Sequence, residues 1–173
     1  RVYLYALRKD ERRLLVSKRL SKQSIHQLVF HPKKTELAVI SGGAIAIVDK
    51  KLKPLATVIH HNTIQTAHFA PDGATLAFAG EEGDVLLWER KSRKVIRRFK
   101  GCKGMIRAVT FAPAAPIVAG ACTDGFVYLW NRTNSSPLAQ LATLPNKEWL
   151  VRIQGNRFLG SQKAPGYFRL RKG

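Results

Sequence analysis

Eighteen of the thirty lysines and arginines in this sequence lie in three short segments. Residues 8–22 hold Arg8, Lys9, Arg12, Arg13, Lys18, Arg19 and Lys22, and residues 50–53 add Lys50, Lys51 and Lys53. Residues 90–103 add Arg90, Lys91, Arg93, Lys94, Arg97, Arg98, Lys100 and Lys103. The only acids among them are Asp10 and Glu11. A plainly solvated strand edge would mix both signs; runs of one sign are the chemistry of polyanion contact. The whole chain agrees, with a net charge of +19 that points to nucleic acid, an acidic protein surface or a membrane surface. Phosphate contacts of this kind are sequence-tolerant and salt-sensitive.

Other reactive side chains are few. The histidines are His26, His31, His60, His61 and His68. The adjacent His60 and His61 have no Cys or carboxylate nearby at ligand spacing, so a turn histidine bonded locally is expected and no metal site. Two cysteines, Cys102 and Cys122, form no readable disulfide framework; free, partly buried thiols in a reducing compartment are expected. Scattered acids give no paired-carboxylate candidate. Gly42-Gly43 and Glu82-Gly83-Asp84 read as hairpin turns, because no helix pattern follows that would cradle a phosphate. The expectation is therefore no enzyme, no cofactor and no small-molecule substrate. The uncharged stretch Ala108 to Thr123 is broken by Pro113 and Pro116 and falls short of the ~20 apolar residues of a membrane helix. Neither an initiator Met nor a leader is read at Arg1-Val2-Tyr3-Leu4.

The elements that carry these residues repeat. Ile25-His26-Gln27-Leu28-Val29-Phe30-His31-Pro32, Ile64-Gln65-Thr66-Ala67-His68-Phe69-Ala70-Pro71 and Ile106-Arg107-Ala108-Val109-Thr110-Phe111-Ala112-Pro113 align, with their phenylalanines 39 and 42 residues apart. Each leads through a turn to an apolar run, a Gly-containing turn and a second run ending at Val48, Trp88 or Trp130. A polar turn and a fourth run follow, at Leu55 to Ile59, Val95 to Phe99 and Leu138 to Leu144. Short β-rich runs punctuated by Gly, Pro and Asp are strands, and each prolines' place just after a first strand costs no ladder bond. One unit is thus four antiparallel strands in ~40–45 residues.

With these motifs in phase, nearly the whole chain resembles the WD-repeat family. The most specific carriers are Phe69-Ala70-Pro71-Asp72-Gly73 with Trp88, and Thr123-Asp124-Gly125 with Trp130 six residues after Asp124. The resemblance implies an all-β fold, a β-propeller of WD-repeat type. About four blades are expected, as an ordered part of a larger, about seven-bladed ring. The units expected are the end of one blade at 1–24, blades at 25–59, 60–100 and 101–144, and the start of a further blade at 145–173. That last one would use Trp149 to Ile153, Phe158 to Gly160 and Tyr167 to Leu170. Trp88, Trp130, Asp124, Phe69 and Phe111 take structural places. The family's Gly-His pair appears as Ile59-His60 and Gly101-Cys102, its turn Asp as Glu82 and Asp124, and its Trp-Asp pair as Val48-Asp49, Trp88-Glu89 and Trp130-Asn131. No unit keeps the full His, Asp and Trp network, which shifts weight to apolar packing.

In a propeller the basic segments fall on the outermost strand and the turn before it. They would form a belt of RNA- or polyanion-binding candidates: Arg12, Arg13, Lys50, Lys51, Lys53, Arg90, Lys91, Arg93, Lys94, Arg97 and Arg98. Simple alternation over Val95 to Phe99 sets Val95, Arg97 and Phe99 on one side and Ile96 and Arg98 on the other. The resemblance joined to the belt implies a non-catalytic scaffold subunit of a large ribonucleoprotein, such as a ribosome-assembly particle of the nucleus or nucleolus, with protein and RNA partners. The alternatives are a microtubule-associated protein of the cytoplasm or cytoskeleton and a peptide-binding adaptor without nucleic acid.

Overall fold

The computed structural model describes residues 1–8, 11–133, 137–153 and 157–164. Among them a three-residue 3-10 turn, Pro145–Lys147, is the sole helical element. A hairpin of β1 (Val2–Arg8) and β2 (Glu11–Lys18) comes first. Three four-strand meanders follow: β3 (Ile25–Phe30), β4 (Leu37–Ser41), β5 (Ala44–Val48) and β6 (Pro54–Ile59); β7 (Ile64–Phe69), β8 (Thr75–Gly80), β9 (Val85–Glu89) and β10 (Lys94–Phe99); and β11 (Ile106–Phe111), β12 (Ile117–Cys122), β13 (Phe126–Asn131) and β14 (Pro137–Thr143). This is the all-β architecture of propeller blades, and among the described residues the sheets do not close into a ring.

A four-stranded sheet of ~40 residues cannot cover both its own faces, so the core lies between sheets. Ile40, Ile45 and Ile47 of the first sheet pack on Ile64, Phe78 and Trp88 of the second. The opposite face of the second sheet, with Ala77, Val85, Leu87 and Phe99, packs on Phe111, Val118, Tyr128 and Trp130 of the third. Trp88 and Trp130 are 3% and 0% exposed, each on the face its sheet presents to the preceding one. The middle sheet is covered on both sides, and β8 is buried at every position. On β13 only one face is buried, at Tyr128 and Trp130.

Neighbouring sheets are also stitched at the inner strand. Gln27 Oε1 accepts from the Ala67 backbone N–H at 2.8 Å, and Thr66 Oγ1 accepts from the Val109 N–H at 3.4 Å. Gln27 and Thr66 occupy equivalent positions, three residues before Phe30 and Phe69. The third equivalent is Ala108, which offers no side-chain acceptor.

Past β14 the structure differs from the expectation of a new blade. β15 (Trp149–Ile153) pairs antiparallel with β14, and β16 (Arg157–Gly160) pairs with β15, so the third sheet has six strands. The link is a tight hairpin in which the Leu144 N–H donates to the Glu148 carbonyl at 2.8 Å. It turns through left-handed Asn146 and Lys147. A closed hairpin returns the chain to the edge it left, and Ala108 gives a following inner strand no anchor. The expected strand at Tyr167 to Leu170 lies outside the described residues.

A second departure concerns the outer strand. Val95 pairs with Trp88 but Arg97 pairs with Leu87, leaving Ile96 as an extra residue. This β-bulge resets the alternation, so Val95 and Arg97 lie on opposite faces, against the simple count. Equivalent bulges fall at Leu55 in β6 and Leu138 in β14. The bulge is a property of this strand position throughout the chain.

Candidate interaction surface

The cations are presented by two equivalent turns. In the β5–β6 turn, Asp49 Oδ1 accepts from the backbone N–H groups of Lys51 and Lys53, both at 2.8 Å. The Lys53 bond foremost holds the Asp49 carboxyl below its ordinary value, against a smaller desolvation effect. Leu52, left-handed with φ 56°, is fully buried against Val2, Val39 and Val48. A turn plugged by Leu52 holds Lys50, Lys51 and Lys53 in solvent, and all three are exposed. The β9–β10 turn ends on left-handed Arg93, φ 57°, and leaves Lys91, Arg93 and Lys94 exposed.

The arginines sort differently from the lysines. Arg90 Nη2 donates to Glu36 Oε1 at 2.9 Å, crossing from the second sheet to the first. Arg132 repeats that reach from the third sheet to the second, donating to Thr75 Oγ1 at 3.1 Å and lying 3.7 Å from Asp72. Its guanidinium also sits 5.5 Å from the Phe111 ring centroid. Each arginine stands two residues after its sheet's tryptophan, and Glu36 and Thr75 each stand six after the inner-strand phenylalanine. Arg90 is therefore a clasp between sheets. Arg97 donates to the Thr133 carbonyl at 3.1 Å, and Arg98 bonds Asp84 at 3.0 Å. Arg93 Nη2 donates a long hydrogen bond to the Leu55 carbonyl at 3.5 Å. The expected belt thus divides: Lys50, Lys51, Lys53, Lys91 and Lys94 point outward, whereas Arg90, Arg97 and Arg98 are engaged internally. The side chains of Arg12 and Arg13 lie outside the described residues.

Opposite these turns, each sheet's entry loop is tied to its second hairpin, four residues before the first strand. In the first sheet Ser21 and Ser41 share a hydroxyl–hydroxyl hydrogen bond of 2.6 Å. In the second, His60 Nε2 lies 3.4 Å from Glu82 Oε2, and His61 Nε2 contacts Glu82 Oε1. The carboxylate missing from the sequence neighbourhood of the two histidines is thus supplied by the β8–β9 turn. In the third, Cys102 and Cys122 form a disulfide with Cα atoms 5.9 Å apart. The expectation of free thiols is corrected. The Ile106↔Cys122 pairing brings a loop and a strand end within bridging distance across 20 residues.

Asp124 completes the third corner. It accepts from the Tyr128 hydroxyl at 2.7 Å and from the N–H groups of Phe126 and Lys103 at 3.1 and 3.2 Å. Burial alone would raise its carboxyl, but these three donors hold it below the ordinary value. Burial, then the bond to Asp124, raises the Tyr128 phenol well above its usual range.

The close approach of loop to turn also explains two glycines. A Cβ on Gly43 would lie 2.5 Å from the His60 carbonyl oxygen, and one on Gly83 would lie 2.5 and 2.8 Å from the Gly104 and Cys102 carbonyls. Gly125, at the equivalent turn of the third sheet, faces nothing within 4 Å.

The WD domain, G-beta repeat family model matches residues 52–89 and 93–131. Each matched segment begins at or just before the outer strand of one sheet and ends on the third strand of the next. Its sequence unit therefore spans the interface that the buried tryptophans fill. With phased strands, phased bulges and inter-sheet clasps all in that register, residues 52–89 and 93–131 are WD repeats.

Proposed function

We propose that this chain is a scaffold in a large ribonucleoprotein assembly, with RNA held at the lysine-bearing turns and protein partners on other faces. Ribosome biogenesis in the nucleus or nucleolus is the setting this reading favours, and the chain performs no catalysis in it. WD repeats support the coarser statement, a protein–protein interaction scaffold. The observation that carries RNA is the outward set Lys50, Lys51, Lys53, Lys91 and Lys94 on equivalent turns of adjacent sheets, in a chain of net charge +19. Exposed point charges on tight turns suit a phosphate backbone, and residues 49–53 and 89–94 carry no aromatic side chain on which a base would stack.

Filter binding of the full-length protein to structured RNA over a salt series tests this. Replacing Lys91 and Lys94 by Glu should weaken binding alike across RNA sequences. It should also flatten the log–log salt dependence by about one unit per lost phosphate contact. Unchanged affinity and slope would reject the RNA reading in favour of a peptide-binding adaptor.

A further inference from the structure

The nitrogen and oxygen donors of His60, His61 and Glu82 all lie within 4.8 Å of one another. We propose that this cluster is a binding site for a divalent transition-metal ion of the zinc type, which would clip the β6–β7 connection to the β8–β9 turn. Two imidazoles and one carboxylate are a borderline donor set; they suit zinc, cobalt or nickel and not calcium or magnesium, which demand oxygen.

Three observations favour a built site. The loop that carries the histidines is pinned, because the His60 N–H donates to the Gly43 carbonyl and the Ile64 N–H to the Gly42 carbonyl, both at 2.8 Å. The carboxylate is oriented by an outer partner, with Asn62 Nδ2 donating to Glu82 Oε1 at 2.7 Å. Its other oxygen, Glu82 Oε2, is buried without a hydrogen bond. The nearest cation besides the histidines is Arg98, 3.7 Å from that oxygen, but its guanidinium is bonded to Asp84 at 3.0 Å. His61 is 69% exposed and opens the cluster to solvent, so a water can take the fourth position. Metal uptake would replace the histidine–carboxylate contacts by bonds to one ion, displacing any protons held on the imidazoles to solvent.

Cys102, Cys122 and Asp124 form the other close donor group among the described residues, but its sulfurs are bonded to each other and provide no thiolate. The test therefore keeps the disulfide intact. The full-length protein, without reductant, is titrated with zinc by calorimetry and with cobalt by visible absorption. One equivalent should bind, with cobalt bands intense enough to mark four- or five-coordination and a higher melting temperature in zinc. His61→Ala, at an exposed position, and Glu82→Gln should each weaken affinity by at least about tenfold. An imidazolium–carboxylate ion pair alone would hold the same side chains together without stoichiometric uptake. Absence of saturable binding would overturn the site, as would equal affinity in the wild type and both variants.

Discussion

The ties at the entry corners of the first and third sheets exchange oxygen for sulfur. Ser21 and Ser41 meet through a hydrogen bond, and Cys102 and Cys122, at equivalent positions, through a covalent bond. Between them the second corner substitutes an imidazole–carboxylate contact, with Gly80 where the others have Ser41 and Cys122. What persists is a position at which the incoming loop must be tied to the end of the second strand. What varies is the chemistry of the tie, from a bond worth about 1 kcal/mol net to one that removes a loop's entropy from the unfolded chain. A repeat can lose its sequence signature at such a point and keep its geometry, provided the apolar interface beside it is unchanged.

The largest expected effect tests that proviso. Trp130→Ala should cost about 3–5 kcal/mol, because it opens a cavity between two sheets, and the Lys100 carbonyl loses the indole N–H that donates to it at 3.0 Å. Denaturant unfolding of the full-length protein gives the value. A loss under about 1 kcal/mol would mean that the corners, and not the interface, carry the third sheet.

Next in size is conversion of the third corner to the first. Cys102→Ser with Cys122→Ser should destabilise by about 2–3 kcal/mol, since a closed loop of roughly twenty residues is worth about 3 kcal/mol and a serine pair returns part of it. Equilibrium unfolding under oxidising conditions compares the two. If the double variant matched the wild type, the covalent tie would add nothing beyond contact.

The smallest effect is electrostatic and separates the corners by pH. Asp124 and Glu82 both have native carboxyls held below their ordinary values of 3.8 and 4.5. For Glu82 burial acts upward, and His61 and His60, joined by Arg98, outweigh it. A depressed carboxyl contributes stability above its unfolded value, and that contribution fades as pH falls through the native one. Amide exchange at Phe126, whose N–H is held by Asp124, should accelerate relative to amides beside Ser21 as pH drops from about 5 to 3, after correction for intrinsic rates. Equal acceleration at both corners would remove the distinction.

Much of the fold was legible because its determinants are periodic. Phe69, Phe111, Trp88 and Trp130 recur at blade spacing since each must meet the same kind of neighbour, and spacing survives in a linear sequence; Phe30 keeps the phase but is exposed. The ties were not legible. Glu82 approaches His60, and Cys122 approaches Cys102, only once antiparallel pairing sets the register. The bulge at Ile96 leaves no mark in hydrophobic alternation. The arginine clasps left a signal that was available: Arg90 and Arg132 share one phase and Glu36 and Thr75 another. Charge counted by segment groups Arg90 with Lys91, whereas charge counted by phase separates them. The hairpin from β14 to β15 eluded the pattern because Trp149 to Ile153 has the composition of an inner strand whichever neighbour it takes.

The offset between sequence unit and sheet has a consequence for how such a chain can change length. Residues 52–89 and 93–131 each supply an outer strand to one sheet and three strands to the next. Duplicating or excising one such unit would leave each sheet it joins with an outer strand in place and every junction built from the same kinds of facing residues. The circumference would alter while the local interlocking would not. A cut at a sheet boundary would instead deliver a module with two bare faces and no strand in its neighbour. For building longer or shorter arcs, the staggered unit is the one to recombine.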